Sequence, residues 1–252
     1  MRRHTGKVIF NRYWISMILF YRPGPVCGSN GGRPVDAGTN GSSCSQPPSQ
    51  GGRGIEDSEP MYVGDQWNPR YDPAAIHKTT PRNGSRPLTF GERHIVRQIF
   101  GDSVDCSMVR IYRGRFIPFQ PSHTAMAPAG DIFFPTPLFS EDYSVEEKSW
   151  KRSIFIHEMT HIWQYQQGYP VMARGAIRLG LDYDYELSVD KKLSDYNMEA
   201  QGNIIADYYS LKFLKDINAM RNERYFNEKW MPLYEKILAD FFDDPKNSKN
   251  LP

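Results

Sequence analysis

Apolar residues recur at helical spacing in four stretches of the chain, and short apolar runs lie between the first and second. Thr89-Phe-Gly-Glu92 has the form of a capping box, and Ile95, Val96, Ile99 and Phe100 after it follow a helical period that ends near Gly101. Short strands are expected over 109–112, 116–119, 124–127 and 131–134, with Pro128-Ala-Gly130-Asp131 turning the last two into a hairpin. A long helix follows over 145–167, with Ser144 and Glu147 as its capping box and Gly168 and Pro170 as its stop. Residues 168–194 carry no clear period. Helices are then predicted over 196–218 and over 227–242, the latter with Trp230, Leu233, Ile237, Leu238 and Phe241 on its apolar face. The pattern implies an α+β domain: a small sheet or hairpin first, then a mainly helical C-terminal half.

The pattern is different before residue 61. Residues 1–22 open with Arg2, Arg3 and Lys7 and continue into an apolar run whose uninterrupted part, 13–21, is too short to span a bilayer as a helix. A basic start and a short apolar run resemble a signal peptide, yet no small-x-small cleavage site follows. A targeting role and a disordered leader both stay open, and membrane contact is expected only if this segment is retained. Residues 23–60 are rich in Gly, Ser, Pro, Asn and Gln. They hold too little apolar surface to offset their ordering entropy, so they read as a flexible linker. The folded domain is expected over 61–245, with Trp67 and Tyr71 as its first anchors and a frayed polar tail over 246–252.

Composition narrows the classes. Of 252 residues, 39% are hydrophobic, and 14 Phe, 15 Tyr and 5 Trp suffice for a substantial core. A formal charge of +2 without a basic block argues against a nucleic-acid partner. Cys27, Cys44 and Cys106 have neither metal-ligand spacing nor an even count, which argues against a disulfide framework.

The chemistry centres on the helix expected over 145–167. His157-Glu158-Met-Thr-His161 sets two imidazoles four residues apart, so both project from one helical face and can share one Zn²⁺. Glu158 stands beside the first histidine without being a ligand, where a carboxylate can take a proton from water activated by the metal. Structural zinc sites usually have four ligands rich in Cys, and no Cys lies near this motif, which favours catalysis.

A catalytic zinc ion usually takes a third protein ligand. The metzincin extension would require Gly at Gln164 and His at Gln167, and neither is present. His4, His77, His94 and His123 all precede the motif. Glu199, 38 residues after His161 on the next expected helix, fits the glutamate-zincin arrangement, with Glu186 and Asp190 as alternatives. Asn203 and Asp207 follow one and two turns beyond Glu199, placed to accept from the second N–H of a ligand histidine. Gly202, inside the same helix, costs about 1 kcal/mol relative to Ala and so points to close helix–helix approach. His123, Tyr183 and Tyr185 are candidates for oxyanion stabilisation. The strand over 124–127 is a candidate edge for pairing with an extended substrate.

Leu88-Thr-Phe-Gly-Glu92-Arg, Val109-Arg-Ile-Tyr, Pro118-Phe-Gln-Pro121, Thr124-Ala-Met-Ala-Pro128 and Ile156-His-Glu-Met-Thr-His161-Ile-Trp-Gln164 occur in this order. The set, spanning about residues 86–215, resembles the Vgr-related metallopeptidase domain, found alone or as a C-terminal extension of type VI secretion spike proteins. The resemblance implies a zincin-like fold, one zinc ion on His157, His161 and Glu199, and Glu158 as catalytic base. It further implies a secreted antibacterial effector acting on a peptide or protein substrate in the periplasm of a rival cell. Its partners would be an immunity protein in the producer and a secretion spike or adaptor. The same residues also suit a peptidoglycan amidase or endopeptidase, and a third reading is a non-catalytic adaptor that holds zinc for folding.

Overall fold

The computed structural model describes residues 79–176 and 183–252, together with the backbone of β1 (Tyr62–Val63) and β2 (Gln66–Trp67). The expected leader, the linker, Cys27, Cys44 and the anchor Tyr71 lie outside the described residues, as do His4 and His77. β1 and β2 pair antiparallel. A second sheet has the order β3-β4-β5, from Ser85–Pro87, Arg110–Arg113 and Ile132–Phe134. β3 runs antiparallel to β4, and β4 parallel to β5 with Ile111 opposite Ile132.

Two of the expected strands are not built as such. Residues 116–119 turn because Gln120 claims the local backbone: its Oε1 accepts from Phe116 N at 2.6 Å and its Nε2 donates to Thr124 O at 2.7 Å. The hairpin over 124–134 shrinks to one bridge, Met126 to Phe133. Its ladder would continue through Thr124 and Pro128, but the Thr124 carbonyl is held by Gln120 and proline has no N–H.

Helix α1, Phe90–Phe100, starts as its sequence predicts. The Thr89 hydroxyl accepts from Glu92 N at 3.1 Å, and the Glu92 carboxylate accepts from Thr89 N at 2.9 Å. Glu92 also receives both guanidinium arms of Arg86 at 2.7 Å and Tyr143 N at 2.9 Å, tying helix, sheet and the 140–143 loop at one buried point. Gly91 is required here, because a Cβ on it would stand 2.1 Å from Ser144 Oγ.

Helix α2, Ser149–Gln166, is buried without a break from Ser153 to Gln164. It begins four residues later than expected, and no side chain caps it. Ser144 is unavailable as the cap because its N–H and hydroxyl both donate to Asp142, at 2.8 and 2.6 Å. Gly168 follows the helix with φ +92°, a conformation that favours glycine. The segment expected to be irregular contains a short helix α3, Val171–Ala176.

Helix α4, Met198–Tyr209, crosses α2 and makes the most extensive helix–helix packing in the structure. It is shorter than the predicted 196–218 because it passes into a π-type turn, Ser210–Leu214, closed by Lys215 in a left-handed conformation. The last predicted helix is divided into a 3₁₀ turn at Glu228–Trp230, α5 at Met231–Ile237 and α6 at Ala239–Asp243. The segment after Asp243 is packed, not frayed. Pro245 O accepts from Trp163 Nε1 at 2.7 Å, Asn250 is buried, and Leu251 lies against the core. One apolar core joins α1, the sheet, α2, α4 and α5 around Trp163, Phe155, Tyr143 and Tyr234. Mixed helices with one small three-stranded sheet make an α+β structure, and no helix among the described residues is long and apolar enough to cross a membrane.

Candidate metal centre

Two helices supply the centre. His157 and His161 lie one turn apart on α2, and their ring centroids stand 4.8 Å apart, with the ring planes nearly perpendicular. Glu199 enters from the first turn of α4, whose N-cap Asn197 accepts from the N–H groups of Glu199 and Ala200, both at 3.0 Å. A carboxylate there is also favoured by the helix dipole.

The donor atoms converge. His157 Nε2 and His161 Nε2 are 3.1 Å apart, and Glu199 Oε2 lies 3.3 Å from the first and 3.5 Å from the second. Two ligands about 2.0–2.1 Å from one tetrahedral ion stand about 3.3–3.4 Å apart, so the three observed separations fit a shared ion. All three residues are buried, and together they form a group able to hold a metal ion. Glu158, only 6% exposed, neighbours His157 on α2 but is not one of the converging three.

Close approach of the helices makes the convergence possible. A Cβ built on Gly202 would lie 2.7 Å from His157 Cε1 and 2.8 Å from Nδ1. Glycine alone lets α4 pass the imidazole face at this height while Glu199, one turn earlier, reaches the same point. His161 is held from behind, with its Nδ1 2.8 Å from Gln164 Oε1.

The other residues singled out by sequence have different places. Asn203 does not reach His157 or His161; its Nδ2 donates to Tyr183 O at 2.6 Å. Asp207 does not reach them either. Its carboxylate accepts from the Tyr185 hydroxyl at 2.6 Å, Arg221 N at 2.5 Å and Asn222 N at 2.8 Å. Full burial pushes the Asp207 carboxyl up to about 6 despite these donors. Tyr185 is removed as an oxyanion donor, since its hydroxyl is committed to Asp207 and also meets Tyr234 Oη at 2.6 Å. His123 is exposed on the loop before Met126, and Tyr183 is half-buried with its carbonyl held by Asn203. Glu186 is exposed and pairs with Arg224 at 3.6 Å, and Asp190 is exposed, so neither joins the group at Glu199.

Two participants were missed by the sequence reading. Gln164 stands in the sequence where a metzincin would have glycine and closes the motif Ile156–Gln164, and neither place points to a contact with His161. Arg221 carried no signal in the sequence, yet burial lowers its guanidinium pKa while the charges of Asp207 and Glu158 oppose that shift. It brings a cation into the electrostatic neighbourhood of Glu158.

Comparison with known proteins adds a relative. The type VI secretion system spike protein VgrG2b of Pseudomonas aeruginosa is 41% identical over 131 residues, which is 49% of this chain. The chain is similar to a segment of that spike protein. The match spans only 13% of the spike protein's length. A solved structure described as the effector domain of Pseudomonas aeruginosa VgrG2b is 36% identical, covering 61% of this chain and 86% of that one with a TM-score of 0.48. No protein-family profile matches the chain.

Proposed function

We propose that the protein is a zinc-dependent hydrolase of amide bonds, a peptidase by its most direct reading, with His157, His161 and Glu199 as ligands and Glu158 as general base. The observation that carries this reading is the convergence of two imidazole nitrogens and a carboxylate oxygen at 3.1–3.5 Å, beside a buried carboxylate that is not part of the set. Zinc when bound supplies Lewis acidity, polarising a carbonyl and lowering the pKa of water towards neutrality. Glu158, adjacent to His157, accepts the proton of the attacking water and returns it to the departing amine nitrogen. Gln164 keeps the His161 ring oriented, and Gly202 leaves the His157 ring its place.

The peptide reading includes pairing of an extended substrate with the main chain beside Met126, which is bridged to the sheet at Phe133. Met126 directs both its N–H and its C=O to Phe133, at 3.2 and 2.8 Å, so the main chain of Ala125 and Ala127 faces the other way. An extended peptide pairs with such an edge. Similarity to VgrG2b supports a type VI secretion effector associated with a secretion spike; action in the target-cell periplasm and neutralisation in the producer by an immunity protein are further parts of this proposal, which the similarity does not address.

The deciding experiment directs wild type and Glu158→Ala to the periplasm or the cytoplasm of a sensitive bacterium and measures zinc in both purified proteins. The proposal expects killing by periplasmic wild type alone, with one zinc ion retained in the variant. Equal toxicity of the variant, or the absence of zinc from both, overturns it and favours the adaptor reading. Degradation of purified cell-wall sacculi, tested alongside, would assign the same site to peptidoglycan.

A further inference from the structure

We propose that Gln164 and Gln201 form a directed amide relay that fixes His161 as its Nδ1–H tautomer and anchors this ligand to the C-terminal segment. The role assigned to the relay rests on the zinc reading above. Its geometry does not.

The direction of the relay follows from acceptors that have no alternative. Gln201 Nε2 donates to Leu193 O at 2.8 Å and to Asn250 O at 3.0 Å, and main-chain carbonyls can only accept. The Gln201 amide is therefore turned with its NH₂ towards them and its Oε1 towards α2. That oxygen receives Gln164 Nε2 at 2.9 Å, and the same nitrogen donates to Met198 O at 3.1 Å. Gln164 is thus oriented as well, with its Oε1 2.8 Å from His161 Nδ1. An amide oxygen only accepts, so the proton of the neutral imidazole sits on Nδ1. Nε2 keeps its lone pair, and it faces His157 Nε2 and Glu199 Oε2.

Both glutamines are fully buried, so water cannot replace a lost partner. Flipping either amide would set oxygens against carbonyls, and flipping one requires flipping the other. The far end is fixed too. Asn250 Nδ2 donates to Asp244 O at 2.9 Å, while Trp163, next to Gln164, donates to Pro245 O at 2.7 Å. The C-terminal segment is in this way part of the support of the centre, and Gln164 and Gln201 are positioning residues.

The test begins with zinc-stripped wild type, ¹⁵N-labelled on histidine. Long-range ¹H–¹⁵N correlation reads the protonation of each ring nitrogen, and His161 is expected to show Nδ1–H with a bare Nε2. Gln164→Met should lose that preference and weaken zinc binding, read by chelator competition, about 10–100-fold, as outer-partner substitutions commonly do. Gln201→Met should shift both readouts the same way by less, and Asn250→Ala by less again. Rescue is tested with Gln164→Glu, which keeps an acceptor for Nδ1–H and should restore the tautomer at some loss of stability. A wild-type ring protonated on Nε2, or a folded Gln164→Met variant with unchanged zinc affinity, overturns the proposal. The wild-type spectrum needs no substitution, so it decides the tautomer even if every variant unfolds. If wild type shows Nδ1–H but binds no zinc, the relay stands and the zinc reading falls.

Discussion

Gly202→Ala is the substitution whose two consequences pull furthest apart. Alanine is favoured over glycine inside a helix by about 1 kcal/mol, so a solvent-facing Gly202 would make the variant more stable. The added Cβ instead lands 2.7 Å from His157 Cε1, 2.8 Å from Nδ1 and 3.2 Å from Nε2. Carbon atoms settle at about 3.5–4.0 Å, so the overlap is about 0.8 Å or more, and something must move. If α4 retreats by that amount, Glu199 Oε2 leaves its position 3.3 Å from His157 Nε2. If the ring turns instead, Nε2 leaves its position 3.1 Å from its partner on His161. Metal sites tolerate about 0.2 Å of error in ligand distance, so either response breaks the set of three.

Without zinc the ring is easier to displace, and overpacking costs about 1–3 kcal/mol against the propensity gain. The metal-free variant is therefore expected between unchanged and about 2 kcal/mol less stable, by urea denaturation with chelator present. Zinc affinity is expected to fall by at least about 100-fold, the upper end of what the loss of an outer partner does, because here a ligand itself is displaced. The assay is competition for zinc against a chromophoric chelator, on a variant shown by circular dichroism to be folded. A folded Ala variant with wild-type zinc affinity would refute the claim that this approach sets the geometry.

Two further substitutions test the rest of the framework. Arg86→Met leaves the Glu92 carboxylate, which is fully buried, without either guanidinium contact, and should cost about 3–5 kcal/mol in denaturant unfolding; a loss below about 1 kcal/mol would mean that Glu92 is carried by its backbone donors. Asp207, raised to about 6 from an ordinary 3.8, binds a proton more tightly folded than unfolded, so its stabilising contribution is complete below about pH 4 and is lost as pH rises through 6. The stability of wild type relative to Asp207→Asn should accordingly be about 1 kcal/mol smaller at pH 7 than at pH 5, and a difference that is flat or rises with pH contradicts the assignment.

Elements whose cause is local were legible in the sequence. Helix α1 begins where Thr89 and Glu92 satisfy each other's backbone, and nothing distant is needed for that. Ser144 and Glu147 spell the same pattern but fail, because Asp142 takes the serine and Gly91 packs on it. The strand over 116–119 failed similarly, since a buried Gln120 out-competes a cross-strand partner for the backbone. The C-terminal segment looked polar and free because its partners, Trp163 and Gln201, lie far away in sequence.

The same distinction divides the site. His157 and His161 share a face by helical period alone, and Glu158 follows from its place between them. Glu199 needed a second helix to arrive at the right height, and the only local trace of that crossing was Gly202, a residue that weakens the helix it sits in. Asn203 and Asp207 were expected to brace a ligand because they share the Glu199 face one and two turns on. Both are committed elsewhere, Asn203 to the Tyr183 carbonyl and Asp207 to the Tyr185 hydroxyl. The brace comes instead from α2 itself: Gln164, three residues past His161, lies directly behind its ring. His161 lies in the buried stretch of α2, where its second ring nitrogen needs a buried partner, and a side chain one turn away on the same helix is within reach.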